Sequence, residues 1–231
     1  MTGSRTLGHV DIVTHALMGI VAASPFLDRH PVAAAAFVFG CVAPDLDSLS
    51  RVFGRTAFLR THQTVSHSAL GIAAAGAIAG GVAAALGLDG FAVGAALALG
   101  MAFHTLLDWT NTYGLAPFAP FSRRRTCLEW VFFIDAFALL STGAAVVAVG
   151  VRFASGAPLG SDIALTWAGV TLAYWLAKGA LRHRALPACP GERLSLLPSA
   201  LVPWTFLGCS RVGDDLVTYT VNALTRRRRD E

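Results

Sequence analysis

The stretch Leu97–Gly114, LALGMAFHTLLDWTNTYG, decides how the chain is interpreted. It begins as apolar as a membrane helix and then places His104 and Asp108 four residues apart. Residues with this spacing lie on the same side of a helix, so the imidazole and the carboxylate can grip one ion. Because ionisable groups are costly within a membrane, they usually mark a functional site there. The stretch therefore predicts a membrane helix that contributes to a metal centre.

The composition of the whole chain supports a membrane protein. Of its 231 residues 55% are hydrophobic and only 14% are charged, with a mean hydropathy of +0.59, whereas soluble domains have about a quarter of their residues charged. The four cysteines show no paired spacing, which predicts neither a disulfide framework nor a zinc–thiolate site.

The basic residues occur mainly in clusters beside apolar segments. In that setting they fix topology or touch anionic lipid more often than they bind nucleic acid, although the C-terminal cluster could do either. The clusters are RRR at 123–125, RHR at 182–184 and RRRR at 226–229.

Four apolar segments approach the length of about 20 residues that a spanning helix needs. They are Ala69–Leu88, Phe91–Leu107, Trp130–Val151 and Ile163–Leu181. Two shorter apolar runs, Ile12–Leu27 and Val32–Ala43, read as a helical hairpin with Pro31 opening its second arm. The sequence thus predicts an all-α, polytopic helical membrane protein with about four spanning helices plus an N-terminal short helical hairpin.

The distribution of arginine predicts the orientation in the membrane. Most of the arginines lie in the loops at 48–68 and 108–129 and in the chain after about residue 182, which fall on one side, whereas the opposite loops near 88–90 and 152–162 hold only Arg152. The positive-inside rule makes the arginine-rich side cytoplasmic. We expect a multi-pass protein of the inner membrane, with a membrane-embedded domain at 1–184 and a cytoplasmic or interfacial C-terminal segment at 185–231 that ends in a basic tail.

Ionisable residues gather at the ends of the predicted helices. The short break at 88–90 makes Ala69–Leu88 and Phe91–Leu107 a second hairpin, and their many glycines and alanines predict that its two helices pack closely. Counted from the turns of the two hairpins, the ionisable residues return to the same membrane face, the cytoplasmic one by the arginine count. Imidazoles with carboxylates and without thiolates suit Zn²⁺, or Mn²⁺ or Fe²⁺, and so many candidates leave room for one to three ions. The candidates are His15, Asp45, Asp47, His62, His67, His104, Asp108 and Asp135.

The order and spacing of these motifs resemble the YdjM-type family of inner-membrane metal-dependent hydrolases. The likeness covers residues 11–140 and rests on DIVTHALMG, PDLD, the pair His62 and His67, FHTLLDWTNTYG, and the proline and arginines of 120–124. One position departs from the family pattern, because Gln63 follows His62 where the family has arginine.

A more distant similarity links the same order of residues to the zinc-dependent phospholipase C and P1 nuclease group. That similarity implies metal ligands at five positions: His15, Asp45, His67, His104 and Asp108. It also implies a phosphoester substrate. We expect Asp47 and His62 to be further ligands or general acid–base groups, and Asp135 to be a later ligand or a catalytic group.

The functional hypothesis is hydrolysis of a lipid-linked or other phosphoester by a metal-activated water at the cytoplasmic face. Asn111 and Tyr113 would line the site, and Arg123–Arg125 would attract an anionic headgroup among the membrane lipids. The alternatives are a non-catalytic metal-binding scaffold and a metal-ion transporter. Ligands at one face argue against a transporter, whose sites usually lie near the bilayer midplane.

Overall fold

The structure, a computed structural model, describes residues 7–54, 56, 63–132 and 134–230, and the side chains of these except at 7–11 and 51. Its α-helices are α1 (Leu7–Ala23), α2 (Pro31–Gly40), α3 (Ala69–Ala85), α4 (Gly90–Thr110), α5 (Ala136–Ala154) and α6 (Ser161–Ala185). Short 3-10 segments follow α1 and α2 and precede α3, at Ser24–Phe26, Ala43–Phe53 and Val65–His67, and another follows α6 at Leu186–Ala188.

The predicted all-α class is wrong, because the C-terminal part of the chain forms a four-stranded antiparallel sheet. Its strands, in spatial and sequence order, are β1 (Glu192–Pro198), β2 (Thr205–Val212), β3 (Asp215–Asn222) and β4 (Arg227–Asp230). Alternate residues such as Leu196, Phe206, Tyr219 and Val221 are fully buried and pack with Ala185 at the end of α6. Strands of four to eight residues with one buried face give only a weak apolar signal beside long membrane helices.

The expectation of about four spanning helices is also wrong. In the described part of the chain two helices are long and apolar enough to cross a membrane, α4 and α5, or three if the bent pair Pro31–Gly40 and Ala43–Ser50 counts as one span. Helix α3 has 17 residues, which gives about 25 Å against a hydrocarbon core of about 30 Å. Helix α6 is long, but its tryptophan, tyrosine, threonine and lysine residues keep its hydropathy low.

Glycine allows helix α4 to touch both α3 and α2 through the backbone. A Cβ on Gly94 would lie 2.6 Å from the carbonyl oxygen of Gly76, and one on Gly100 would lie 2.1 Å from that of Phe37. Such approaches are closed to any larger residue. The predicted close hairpin of α3 and α4 is therefore present. A glycine-mediated backbone contact of the same kind holds the end of α2 against the middle of α4.

A second group of helices packs beside the first. Helix α1 contacts α5 and α6 as well as α2, around a core that includes Met18, Val21, Val131 and Trp175. The buried indole of Trp175 donates a hydrogen bond to Thr110 at the end of α4 (2.8 Å). The end of α4 thus lies where the two helix groups meet, and this is where the ionisable residues collect.

Candidate metal centre

Four buried side chains converge at the end of α4. They are Asp45, His67, His104 and Asp108, and each offers one ligand atom such that all four atoms lie within 4.8 Å of one another. Asp45 follows α2, His67 precedes α3, and the other two lie one turn apart on α4. Of the five residues implied as ligands by the resemblance, the structure therefore groups four.

Local structure explains why these side chains meet. The backbone contact between Gly40 and Gly100 brings the end of α2 against α4. Ser68 caps the N-terminus of α3 by accepting a hydrogen bond from the Gly71 amide (3.1 Å), so His67 stands in the turn just before that helix. The i, i+4 spacing puts His104 above Asp108 on the same face of α4.

Hydrogen bonds to the Nδ1 atoms, on the side of each ring away from the cluster, fix the orientations of His67 and His104. The Nδ1 of His104 donates to the carbonyl oxygen of Cys41 (2.8 Å). The Nδ1 of His67 lies 3.0 Å from Oγ of Ser66, whose hydroxyl donates to Asp47 (2.6 Å) and so leaves its lone pairs to accept from the ring. In the neutral tautomers that carry their protons on Nδ1, the two Nε2 atoms, 3.2 Å apart, present lone pairs to the same point.

The separations within the cluster fit the ligand shell of a tetrahedral metal ion. The Nε2 atoms of His67 and His104 are each 3.4 Å from Oδ2 of Asp108, and that of His104 is 3.6 Å from Oδ1 of Asp45. Zinc bonds to nitrogen and oxygen of about 2.0–2.1 Å place neighbouring ligand atoms about 3.3–3.4 Å apart. Nitrogen and oxygen ligands without sulfur also suit Mn²⁺ and Fe²⁺.

His15 stands beside this group on the other oxygen of Asp108. Its Nε2 is 3.2 Å from Oδ1 of Asp108, and its ring centroid is 4.0 Å from that of His104. The same Oδ1 accepts a hydrogen bond from the side-chain amide of Asn111 (3.0 Å). His15 is therefore adjacent to the four-residue cluster, and Asn111 lines it as predicted.

A small cavity of about 30 Å³ opens next to His15 and Asp108, with a mostly apolar wall and a few polar groups. Its wall also includes Thr14, Asn111 and Asp135. A space of this size holds about one or two water molecules. The cluster thus has a site for water on the His15 side of Asp108.

The three residues predicted to be catalytic have different positions. Asp47 lies behind His67, where its Oδ2 accepts from Ser66 and from the amide of Gln63 (2.9 Å). Asp135 lines the cavity, but it caps α5 through the Phe137 and Ala138 amides, accepts from Tyr174 and lies 3.8 Å from the buried Lys178 amine. His62 lies outside the described residues. Tyr113 and Arg123–Arg125 are exposed.

Two groups that sequence reasoning missed contact the cluster directly. Gln63 is buried with φ 56°, and its side-chain amide donates to Oδ2 of Asp108 (3.4 Å). Its position within the histidine loop, at the departure from the family pattern, was the available signal. The carbonyl of Cys41 was beyond sequence reasoning, because any residue type supplies a carbonyl.

His67 links metal binding to pH. Burial opposes its charged form, but hydrogen bonds to and the negative charges of Asp108 and Asp47 outweigh burial and raise its pKa to about 9. A metal must displace this proton, so the apparent affinity should rise about tenfold per pH unit from pH 6 to 8 and level off above about pH 9. Zinc titration calorimetry in buffers of different ionisation enthalpy measures both the slope and the released proton. An affinity independent of pH would contradict the assignment of His67.

Replacing Asp47 with asparagine should weaken metal binding without removing a ligand. The amide cannot accept as strongly from Ser66 and the Gln63 backbone, so the orientation of His67 loosens; loss of such a partner typically costs about 10–100-fold in metal affinity. Competition with a chromophoric chelator measures the change. The matched control is Asp89→Asn at the far end of α4, where the new residue still caps the helix and the affinity should stay the same.

Apolar helices joined around a buried cluster of histidine and aspartate define the class of this chain as a helical membrane protein with a candidate metal centre. The model of the YdjM inner membrane protein family matches residues 10–185, and the chain belongs to this family. The matched range contains the whole cluster and stops before the sheet. Comparison with curated proteins and with solved structures found no match.

Proposed function

We propose that the protein is a membrane-bound, metal-dependent hydrolase that cleaves a phosphoester, with a lipid-linked phosphate as its substrate class. The observation that carries this proposal is the convergence of four buried ligand atoms around one point, with both imidazole lone pairs turned inward. Four acceptor atoms at such separations repel one another unless a cation or a proton lies between them. Their adjacency to a water-sized cavity that also contains His15 favours catalysis over a purely structural role.

In this proposal Asp45, His67, His104 and Asp108 hold a divalent ion, with zinc fitting best. Such an ion supplies a Lewis acid that polarises a phosphoryl oxygen and lowers the pKa of a bound water. The chain's own groups then divide the work. His15, at the cavity and in contact with Asp108, receives the proton of the attacking water.

Neighbouring groups position this constellation rather than react. Asn111 and Gln63 hold the carboxylate of Asp108, and Asp47 holds His67. Asp135 already accepts two backbone hydrogen bonds and one from Tyr174 and lies close to Lys178, so we assign it to structure rather than to proton transfer.

The basic loop after α4 supports an anionic substrate. It carries Arg123–Arg125, all exposed, and it packs against the histidine loop, because the Ala116 amide donates to the Gln63 carbonyl (3.2 Å) and the Ala69 amide to that of Pro117 (3.0 Å). Guanidinium groups at this place would attract the phosphate of a headgroup toward the site. By the arginine distribution we place this face on the cytoplasmic side.

A second candidate is a non-catalytic membrane scaffold with a structural ion. Structural zinc sites are usually closed by four protein ligands, and the four-residue cluster is buried. The two candidates differ in one respect: only a hydrolase must allow the phosphate of a substrate to reach the cluster beside His15.

The deciding experiment uses the purified full-length protein, first for metal content and then for turnover of a chromogenic phosphodiester and of an anionic phospholipid. The hydrolase should turn over at least one of them, and His15→Ala should abolish turnover while most of the metal remains. Metal without turnover of any lipid-linked phosphate would favour the scaffold. Absence of metal from zinc-supplemented protein would overturn both candidates.

A further inference from the structure

One end of the C-terminal sheet has the surface of a membrane-binding element. This sheet tip consists of the β1–β2 loop (199–204) and the β3–β4 turn (223–227). We propose that the sheet tip docks on the surface of an anionic phospholipid bilayer, beside the point where α5 enters the apolar layer. The proposal is independent of the metal centre.

Hydrogen bonds fix the depth of the β1–β2 loop. The amide of Ala136, the first residue of the candidate span α5, donates to the carbonyl oxygen of Ala200 (3.0 Å). From α6, the buried amine of Lys178 donates to the carbonyl oxygens of Ser199 and Pro203 (both 3.4 Å). The loop therefore lies level with the first turn of a membrane helix.

From this level the strands lead away from the membrane helices. Arg184, farther along α6 than Lys178, donates to the carbonyl oxygens of Ala223 and Leu224. Beyond the helix, Gly191 approaches the backbone of Arg211 near the other end of β2. The Ala223 and Leu224 carbonyls belong to the sheet tip, whereas the Gly191 contact lies at the other end of β2. The sheet therefore extends from the end of α6 toward the β2–β3 turn, which lies about 23 Å from the tip at about 3.3 Å per residue.

The sheet tip exposes apolar side chains next to the start of α5. Leu201 is 78% exposed and Trp204 41%, with Val202 and Leu224 also exposed. The hydrogen bond from Ala136 to Ala200 places this loop next to the start of α5, where Leu140 is also exposed. Tryptophan with exposed leucine at helix-entry depth is typical of the membrane–water interface.

Charge separates the two ends of the sheet. The tip holds Arg226 and Arg227 and no acidic residue, and register places Arg227 beside Asn222 and Thr205 at the base of the strands. The opposite end is mixed and slightly acidic: it holds the exposed Glu192, Asp214 and Asp215 together with Arg193 and Arg211, and Arg211 pairs with Glu192 (3.4 Å). Arginine at the depth of the headgroups favours anionic lipid. Acidic groups at the far end disfavour a sheet that lies flat on an anionic bilayer or that faces it with the far end.

Photocrosslinking in lipid vesicles tests the docking with a matched pair of exposed leucines. p-Benzoyl-phenylalanine replaces Leu201 at the tip or Leu216, 66% exposed, at the far end, in the full-length protein reconstituted into vesicles with one-third phosphatidylglycerol. Lipid adducts measured by mass spectrometry should form at position 201 at least about fivefold more than at 216. Equal yields, or none at position 201, would overturn the proposal.

The preference for anionic lipid is tested by charge removal. The double change Arg226→Gln with Arg227→Gln should lower the adduct yield at position 201 on the order of fivefold or more in phosphatidylglycerol vesicles, whereas Arg211→Gln at the far end should leave it unchanged. Pure phosphatidylcholine vesicles should reproduce the loss with the unaltered arginines. A yield that is the same in both lipids and in both variants would refute the role of anionic lipid.

Discussion

Replacing His104 with alanine should empty the metal centre while leaving the membrane helices folded. The ion content should fall from about one per chain to near zero, because His104 supplies the one Nε2 that contacts His67, Asp108 and Asp45 alike. Loss of a partner behind a ligand already costs about 10–100-fold in affinity, so loss of the ligand itself should exceed about 100-fold. Elemental analysis of the purified protein measures the content, and far-UV circular dichroism measures the helix.

The control for this change is His183→Ala, an exposed histidine in the last turn of α6. That variant should retain its full metal content. If His104→Ala retained the ion as well, the four-residue cluster would not be the binding site. A loss of helix signal in His104→Ala would show instead that the cluster is needed for folding, and chelation of the wild type should then cause the same loss.

Replacing Gly100 with alanine should destabilise the protein through a single methyl group. The new Cβ would lie 2.1 Å from the carbonyl oxygen of Phe37 and 3.0 Å from Cα of Gly40, so α2 and α4 must move apart. Overpacking of this kind costs about 1–3 kcal/mol, which corresponds to a fall in Tm of about 2–12 °C for a chain of this size. Metal affinity should also fall, because the Cys41 carbonyl that holds His104 moves with α2. Thermal unfolding in detergent and zinc titration measure the two effects.

Two matched glycines serve as controls for Gly100→Ala. A Cβ on Gly81 in α3 or on Gly150 in α5 meets nothing within 4 Å. Alanine there should leave the Tm unchanged or raise it slightly, because glycine is the poorer helix former by about 1 kcal/mol. An equal loss of Tm in all three variants would contradict the close approach of α2 and α4.

Much of the cluster was predictable because the chain is so poor in charge. In an apolar background His67, His104 and Asp108 stand out individually, and the turn positions of two helical hairpins are enough to return them to a common depth. The proximity of His104 and Asp108 on α4 could be predicted from the helical repeat alone, because residues i and i+4 lie on the same face. Hairpin symmetry likewise predicted the arrival of Asp45 at the same end.

The remaining features could not be predicted, because they depend on how individual side-chain atoms are oriented or on contacts between residues far apart in the sequence. The assembly of four residues with His15 beside them follows from which oxygen of Asp108 each imidazole faces. The role predicted for Asp135 as a later ligand or catalytic group stays a prediction, and nothing in the sequence indicated that the same carboxylate also caps α5 and accepts a hydrogen bond from Tyr174. The sheet was missed because Leu194, Leu197 and Leu207 on its outer face blur the alternation that marks a strand.

The small cavity beside Asp108 is bounded by both halves of the chain. Its ligand side comes from α1 and α4, whereas its opposite wall is supplied by Val131, Ala138 and Trp175, none of which belongs to the four-residue cluster. The chain can therefore vary the shape of the chamber while the ion-holding set stays constant. In the hydrolase proposed above, substrate selectivity and ion retention would be set by different residues, so relatives could differ in substrate while they keep the same ligands.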